Sequence, residues 1–253
     1  MRKTISYLSA TLLCLSGCIA TQTAPHPPQK PKEQILKEKP KTHTYLDEFF
    51  YDPYPFVGSV NYADDGRLIG SGVLISSNLV LTAAHVPQGK DDLMFVEYDG
   101  DEHCISEILY YPDYVSGTLT HDIAILVLET ESDEQPVTLI DPEEDSIWKT
   151  MKLTTVGYGT GRKRFSNYNV FWYYGRLMRS PEFMIMLPLE GTIWFGDSGG
   201  AVFTLKNKLI GIMSYFQTTP SGKIYENGCA SIEYYRDWIE EVQNEKSLEA
   251  VVR

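Results

Sequence analysis

From Pro55 to Met213 the chain is a succession of short apolar or alternating runs divided by turn residues, and this limits the folds open to it. The clearest runs cover residues 55–60, 72–75, 79–81, 93–98, 123–128, 152–156 and 208–213. Each is too short for a stable helix, and their spacing with turn residues between them is that of strands. A helical period enters only near Glu233. There Tyr235, Trp238, Ile239 and Val242 fall at i, i+3, i+4 and i+7, with Arg236, Asp237, Glu240 and Asn244 on the other face. The sequence therefore predicts an all-β sandwich or barrel fold closed by an amphipathic helix over about 233–246. The chain has 253 residues, 43% hydrophobic and 12% aromatic, which is core enough for one large β domain or two small ones and excludes a disordered or collagen-like chain.

The N-terminus is of a different kind. Arg2 and Lys3 precede an apolar stretch over residues 5–15, about half of the roughly 20 residues that span a bilayer, so residues 1–17 read as a secretion signal. The stretch ends in Leu15-Ser16-Gly17-Cys18, which resembles the lipobox of bacterial lipoproteins, where the signal is cut before the cysteine. The resemblance implies acyl chains such as palmitate on Cys18, the membrane as a partner, and a folded domain outside the cytoplasm in the bacterial cell envelope. Ile19 stands where Asp favours inner-membrane retention, so a Gram-negative cell would hold the protein at its outer membrane. The segment from Cys18 to residue 44, with Pro25, Pro27, Pro28, Pro31 and Pro40 among five lysines, reads as an extended tether with a reach of roughly 28 Å. Signal and tether together carry +5, so the formal charge of -12 leaves -17 for residues 45–253. Such acidity argues against nucleic acid as a partner.

Three segments carry the chemistry. The first runs from Gly70 through Leu79-Val80-Leu81 to Thr82-Ala83-Ala84-His85, the second is His121-Asp122-Ile123-Ala124-Ile125-Leu126, and the third is Gly196-Asp197-Ser198-Gly199-Gly200. In this order, at spacings of 37 and 76 residues, they resemble the histidine, aspartate and nucleophile segments of the chymotrypsin/trypsin-like serine proteases. Gly157-Tyr158-Gly159, Ser214-Tyr215 and Trp238-Ile239 add lesser matches. The resemblance implies two packed six-stranded antiparallel β-barrels, about 45–140 and 141–232, in a protease domain of residues 45–246. It also implies catalytic His85, Asp122 and Ser198 and an oxyanion hole from Gly196 and Ser198. Substrate would be bound by Thr192, Ser214, Tyr215 and Phe216. A protein or peptide substrate, a monomer, and no metal or other cofactor follow from the same likeness.

Departures from the family pattern carry further expectations. No activation sequence precedes Tyr54-Pro55-Phe56, so Asp197 needs a partner other than a freed amine, for which Arg162, Lys163 and Arg164 are candidates. Activation by cleavage is then not required. Cys104 and Cys229 read as two buried thiols rather than a disulfide. His121 reads as loop structure, and His26, His43 and His103 have no evident partner. Thr192 at the pocket floor and Phe216 at its entrance predict small aliphatic side chains at the cut position. Aromatics from Phe165 to Tyr174 could line the cleft or serve packing. Phe216 and Trp194 also keep open an alternative, a catalytically silent binding module with an occluded pocket.

Overall fold

The structure, a computed structural model, describes residues 52–141, 152–159, 164–170, 183–190 and 193–252. The expected signal, Cys18 and the tether, Arg162, Lys163, Thr192, and Phe171 to Tyr174 lie outside them. Twelve strands precede one helix. Strands β1 (Val57–Tyr62), β2 (Leu68–Ser76), β3 (Leu79–Thr82), β4 (Leu93–Val96), β5 (Glu102–Tyr110) and β6 (Ala124–Leu128) close an antiparallel barrel in the order β1-β2-β3-β6-β5-β4. The four residues of β3 and the five of β6 are all buried, which is why both read as continuous apolar runs. Strand β5 reads differently because most of its residues are exposed or half-buried, leaving no apolar run in the sequence.

The second sheet contains β7 (Lys152–Gly157), β8 (Arg164–Val170), β9 (Phe183–Glu190), β10 (Ala201–Thr204), β11 (Leu209–Thr218) and β12 (Ile224–Ser231). Its hydrogen-bonded order is β10-β11-β12-β9-β8-β7, and β7 also pairs with β10 from Val156↔Ala201 to Leu153↔Thr204. One hydrophobic cluster runs through both sheets, from Val57, Leu81 and Phe95 to Phe203, Ile212 and Tyr235.

Helix α1 spans Ile232–Val252, six residues beyond the end expected from apolar period. Tyr235, Ile239 and Val242 are buried as the period requires. Beyond Val242 the helix is held by polar contacts to the first barrel. Gln243 Nε2 donates to the Ile75 carbonyl at 2.9 Å, and Lys246 Nζ bonds Glu107 Oε2 at 2.9 Å and Glu249 Oε2 at 3.1 Å. Contacts of that kind leave no hydrophobic periodicity. No helix among the described residues is long and apolar enough to cross a membrane.

Two expectations are corrected in the first barrel. Cys104 is exposed, because its neighbour His103 faces inward and alternation on β5 turns the thiol out; Cys229 is buried, and both are free. His103 does have a partner: Nδ1 lies 2.9 Å from Thr130 Oγ1, while Nε2 stands at ion-pair distance, 3.4 Å, from Glu97 Oε1 without forming a hydrogen bond. Glu97 is buried, and desolvation pushes its carboxyl above the usual carboxylate range; Asp99 and Glu134 push the same way, while Ser132 and His103 oppose. A carboxyl raised in the folded state supports folding below its unfolded pKa, and that support is lost as pH rises through the folded one. Glu97→Gln should therefore raise Tm at pH 7, by about 2–4 °C for each kcal/mol relieved, with the gain vanishing near pH 4. Thermal melts at both pH values check this; an equal shift at both would show that charge is not the cause.

Candidate active site

Strands β3 and β6 are neighbours, with Thr82 paired to Ala124, so the chain leaving β3 and the chain entering β6 emerge side by side. His85 follows β3 on a turn closed by Val86 N donating to the Ala83 carbonyl at 3.0 Å, and Asp122 precedes β6. Asp122 is fully buried. Its Oδ2 lies 2.8 Å from His85 Nδ1 and accepts from Ser214 Oγ at 2.6 Å, while Oδ1 accepts from the His85 backbone N at 2.9 Å. Three donors thus converge on one carboxylate, which fixes the imidazole plane and leaves Nε2 toward the cleft. The His85 side chain is 36% exposed.

His121, expected as loop structure, has a structural part. Its φ of 52° is unusual for a side-chain-bearing residue and turns the chain into Asp122. Its Nδ1 lies 3.2 Å from the hydroxyl of Tyr235 on α1, and its ring packs 5.0 Å from that of Tyr111. The closing helix therefore braces the residue next to Asp122.

Ser198 enters from the loop before β10. Its Oγ donates to the Ser214 carbonyl at 3.5 Å, the outer limit for such a bond. Among the described residues, no group accepts the backbone N–H of Gly196 or Ser198. Gly196 has a φ of 94°, and Gly199 a φ of 85° with its missing side chain replaced by the Ser71 carbonyl, 2.1 Å from where a Cβ would stand. Glycine is required at both positions.

The loop is held by a residue the sequence reading did not single out. Ser71 on β2 is fully buried; its Oγ donates to the Gly196 carbonyl at 2.7 Å and accepts from Tyr158 N at 2.9 Å. Its backbone N donates to the Ser198 carbonyl at 2.8 Å, and its carbonyl accepts from Thr82 Oγ1 at 2.8 Å. One serine of the first barrel thus holds the loop that carries Ser198 at two carbonyls, those of Gly196 and Ser198. Asp197, also buried, has its carboxylate seated on backbone donors, Gly159 N to Oδ1 at 2.5 Å and Trp194 N to Oδ2 at 2.7 Å. Of the cations expected as its partners, Arg162 and Lys163 lie outside the described residues; the two oriented N–H groups stabilise the charged carboxylate. The sequence signal was Gly157-Tyr158-Gly159, whose glycines make room for the carboxylate.

A cavity of about 850 Å³ runs past these groups, lined by His85, Gly196, Ser198, Ser214, Tyr215 and Phe216 together with Arg67, Leu68, Ile69 and Phe195. The Phe216 ring lies parallel to Trp194 with centroids 5.9 Å apart and edge-on to Phe195 at 5.3 Å. The expected substrate residues Ser214, Tyr215 and Phe216 are therefore together at the cleft. Away from it, one oxygen each of Glu97, Asp99 and Glu134 lie within 4.8 Å of one another, the group among the described residues that could hold a cation.

The chain is 25% identical over 207 residues to a Halomonas elongata protein named a probable periplasmic serine endoprotease, DegP-like, covering 81% of this chain and 41% of that protein. It is 28% identical over 137 residues to an Anopheles gambiae protein named inactive CLIP domain-containing serine protease A28, covering 46% of this chain and 36% of that one. The chain thus spans about two fifths or less of the length of these relatives. Its fold matches a solved structure of neuropsin, a serine protease expressed in the limbic system of mouse brain, with a TM-score of 0.63 and 21% identity over 76% of this chain and 95% of that one. The Trypsin family model matches residues 47–239, most of the chain including all three motif segments, and the protein belongs to the trypsin family.

Proposed function

We propose that the protein is a serine endopeptidase that cuts peptide bonds with Ser198 as nucleophile, His85 as proton carrier and Asp122 as the group that orients it. The observation that carries this reading is the buried Asp122 carboxylate, 2.8 Å from His85 Nδ1 and accepting from Ser214 Oγ at 2.6 Å. With Nδ1–H given to Asp122, Nε2 is left unprotonated and able to take a proton. A turn of the Ser198 side chain away from the Ser214 carbonyl hands its proton to Nε2 as Oγ attacks the carbonyl carbon. Hydrogen bonds of this kind commonly tighten only with substrate bound. The oxyanion that forms would face the N–H groups of Gly196 and Ser198, which no protein group occupies among the described residues. His85 then returns the proton to the leaving amine, and water repeats the sequence on the acyl-enzyme.

The seat of Asp197 on Gly159 and Trp194 supports a nucleophile loop formed without a freed N-terminal amine, so no activating cleavage is needed. Recovery of activity only in an N-terminally cleaved form would count against this. We read the second sheet, with β7 paired to β10, as the second barrel of the family fold. The sequence supports export and anchoring through acylated Cys18 in a bacterial envelope, at the outer membrane where there is one, with the domain acting as a monomer on protein or peptide substrates.

A fluorophosphonate probe should label the wild type and fail on Ser198→Ala, and Cys18→Ser should abolish incorporation of labelled palmitate. Phe216 packed over Trp194, and a relative named inactive, favour a second reading as a silent binding module. Absence of labelling from about pH 6 to 9, where a histidine base works, would decide for that module.

A further inference from the structure

Asn227 on β12 pairs in register with Phe216 of β11 on one side and Met186 of β9 on the other. Directly paired residues of an antiparallel sheet send their side chains to the same face. Asn227 therefore shares the face of Phe216, which lines the cleft beside Ser198. The adjoining Gly228 confirms the alternation, since a Cβ there would meet the Tyr215 ring on the opposite face. Asn227 is 0% exposed, and among the described residues neither its Oδ1 nor its Nδ2 has a hydrogen-bond partner. Its flanking neighbours, Met186 and Phe216, are apolar.

A buried amide with all its hydrogen-bonding capacity unmet destabilises a fold, whereas leucine of similar size would fill the same place at no such cost. Nothing among the described residues pairs with the amide, whereas a ligand that passes Phe216 could. Phe216 and Phe195 give the cleft an apolar wall with Trp194 stacked on Phe216, and the amide, on the same face one strand behind Phe216 and outside the cleft's own lining, offers one donor side and one acceptor side. A carboxamide side chain matches both, its methylene stem lying against the rings and its head pairing with the amide. An aliphatic side chain would leave the amide unpaired, and a charged one would be buried against a dipole with no countercharge. We propose that Asn227 is a specificity-determining residue and that the cleft selects peptides with Gln or Asn at the cut position. This rests on the serine endopeptidase reading above and departs from the small aliphatic preference that Phe216 and Thr192 suggest in the sequence.

The test uses the full chain and matched peptides that differ only in carrying Gln, Leu, Glu or Arg at the cut position. The wild type should cleave the Gln peptide with a kcat/KM at least about 10-fold above the Leu peptide. Asn227→Leu should reverse that ratio while raising Tm by a few degrees and still taking the fluorophosphonate label on Ser198, a combination that a merely structural residue would not give. A labelled wild type with a Gln-to-Leu ratio at or below one overturns the proposal and leaves the peptidase reading standing, whether or not the variant folds. An unchanged ratio in folded Asn227→Leu overturns it equally. An unlabelled wild type overturns the peptidase reading and this proposal with it.

Discussion

Asp122→Asn should lower kcat by about 10⁴-fold with KM nearly unchanged, although only one oxygen has been replaced by nitrogen. The size follows from the three donors around the carboxylate. Oδ1 accepts from the His85 backbone N, whose N–H cannot turn away, and Oδ2 receives both His85 Nδ1 and Ser214 Oγ. An amide has one oxygen for these two positions. If the oxygen takes the backbone N–H, the NH₂ faces His85 Nδ1, which must then become an acceptor, and the ring proton moves to Nε2. Such an imidazole cannot accept the Ser198 proton. If the amide is flipped, NH₂ meets the backbone N–H and two donors confront each other in a fully buried place, which costs about 1–3 kcal/mol. The first arrangement wins, so folding survives and the base is lost. Steady-state kinetics on a peptide substrate and the rate of fluorophosphonate labelling should fall together while Tm moves little. Labelling within tenfold of the wild-type rate would exclude His85 and Asp122 from the roles given them.

How much of this was legible in the chain depends on which atoms carry each feature. Buried strands such as β3 and β6 show themselves because nearly every side chain is apolar, and His85, Asp122 and Ser198 show themselves because the chemistry proposed for them needs particular side chains. Strand β5 and the last turns of α1 are hidden because they are held by backbone pairing and by polar contacts such as Gln243 with the Ile75 carbonyl. The seat of Asp197 is hidden for a related reason: its donors are backbone N–H groups, which every residue except proline possesses. Only the glycines betray it. Gly157 and Gly159 are absent from the positive-φ set, so their lack of a side chain is explained by space rather than by backbone conformation. Ser71 is hidden because nothing in Gly70-Ser71-Gly72 marks the serine, whereas the structure buries it in a strand with its hydroxyl both donating and accepting.

The same seat predicts a second large effect. A Cβ on Gly159 would stand 2.6 Å from Cγ, Oδ1 and Oδ2 of Asp197, and the carboxylate is buried. It is also tethered by Trp194 N, while Asp197 N donates to the Trp194 carbonyl at 3.0 Å and Gly200 N to the Asp197 carbonyl at 2.9 Å. Asp197 lies between Gly196 and Ser198, so displacing it turns the two peptide N–H groups assigned to the oxyanion. Gly159→Ala should therefore reduce kcat by about 10²- to 10³-fold, the scale of losing an oxyanion donor, beyond the roughly 1–3 kcal/mol of stability lost to overpacking. Assay well below the variant's Tm separates the two effects. Asp197→Ala removes the clash and the acceptor together, so in the Gly159→Ala background it should add little further loss. If the two substitutions instead lowered kcat independently, Gly159 would be acting through something other than the Asp197 carboxylate. The Ser71 hydroxyl, which joins Tyr158 N to the Gly196 carbonyl, would then be the next restraint on the loop to test.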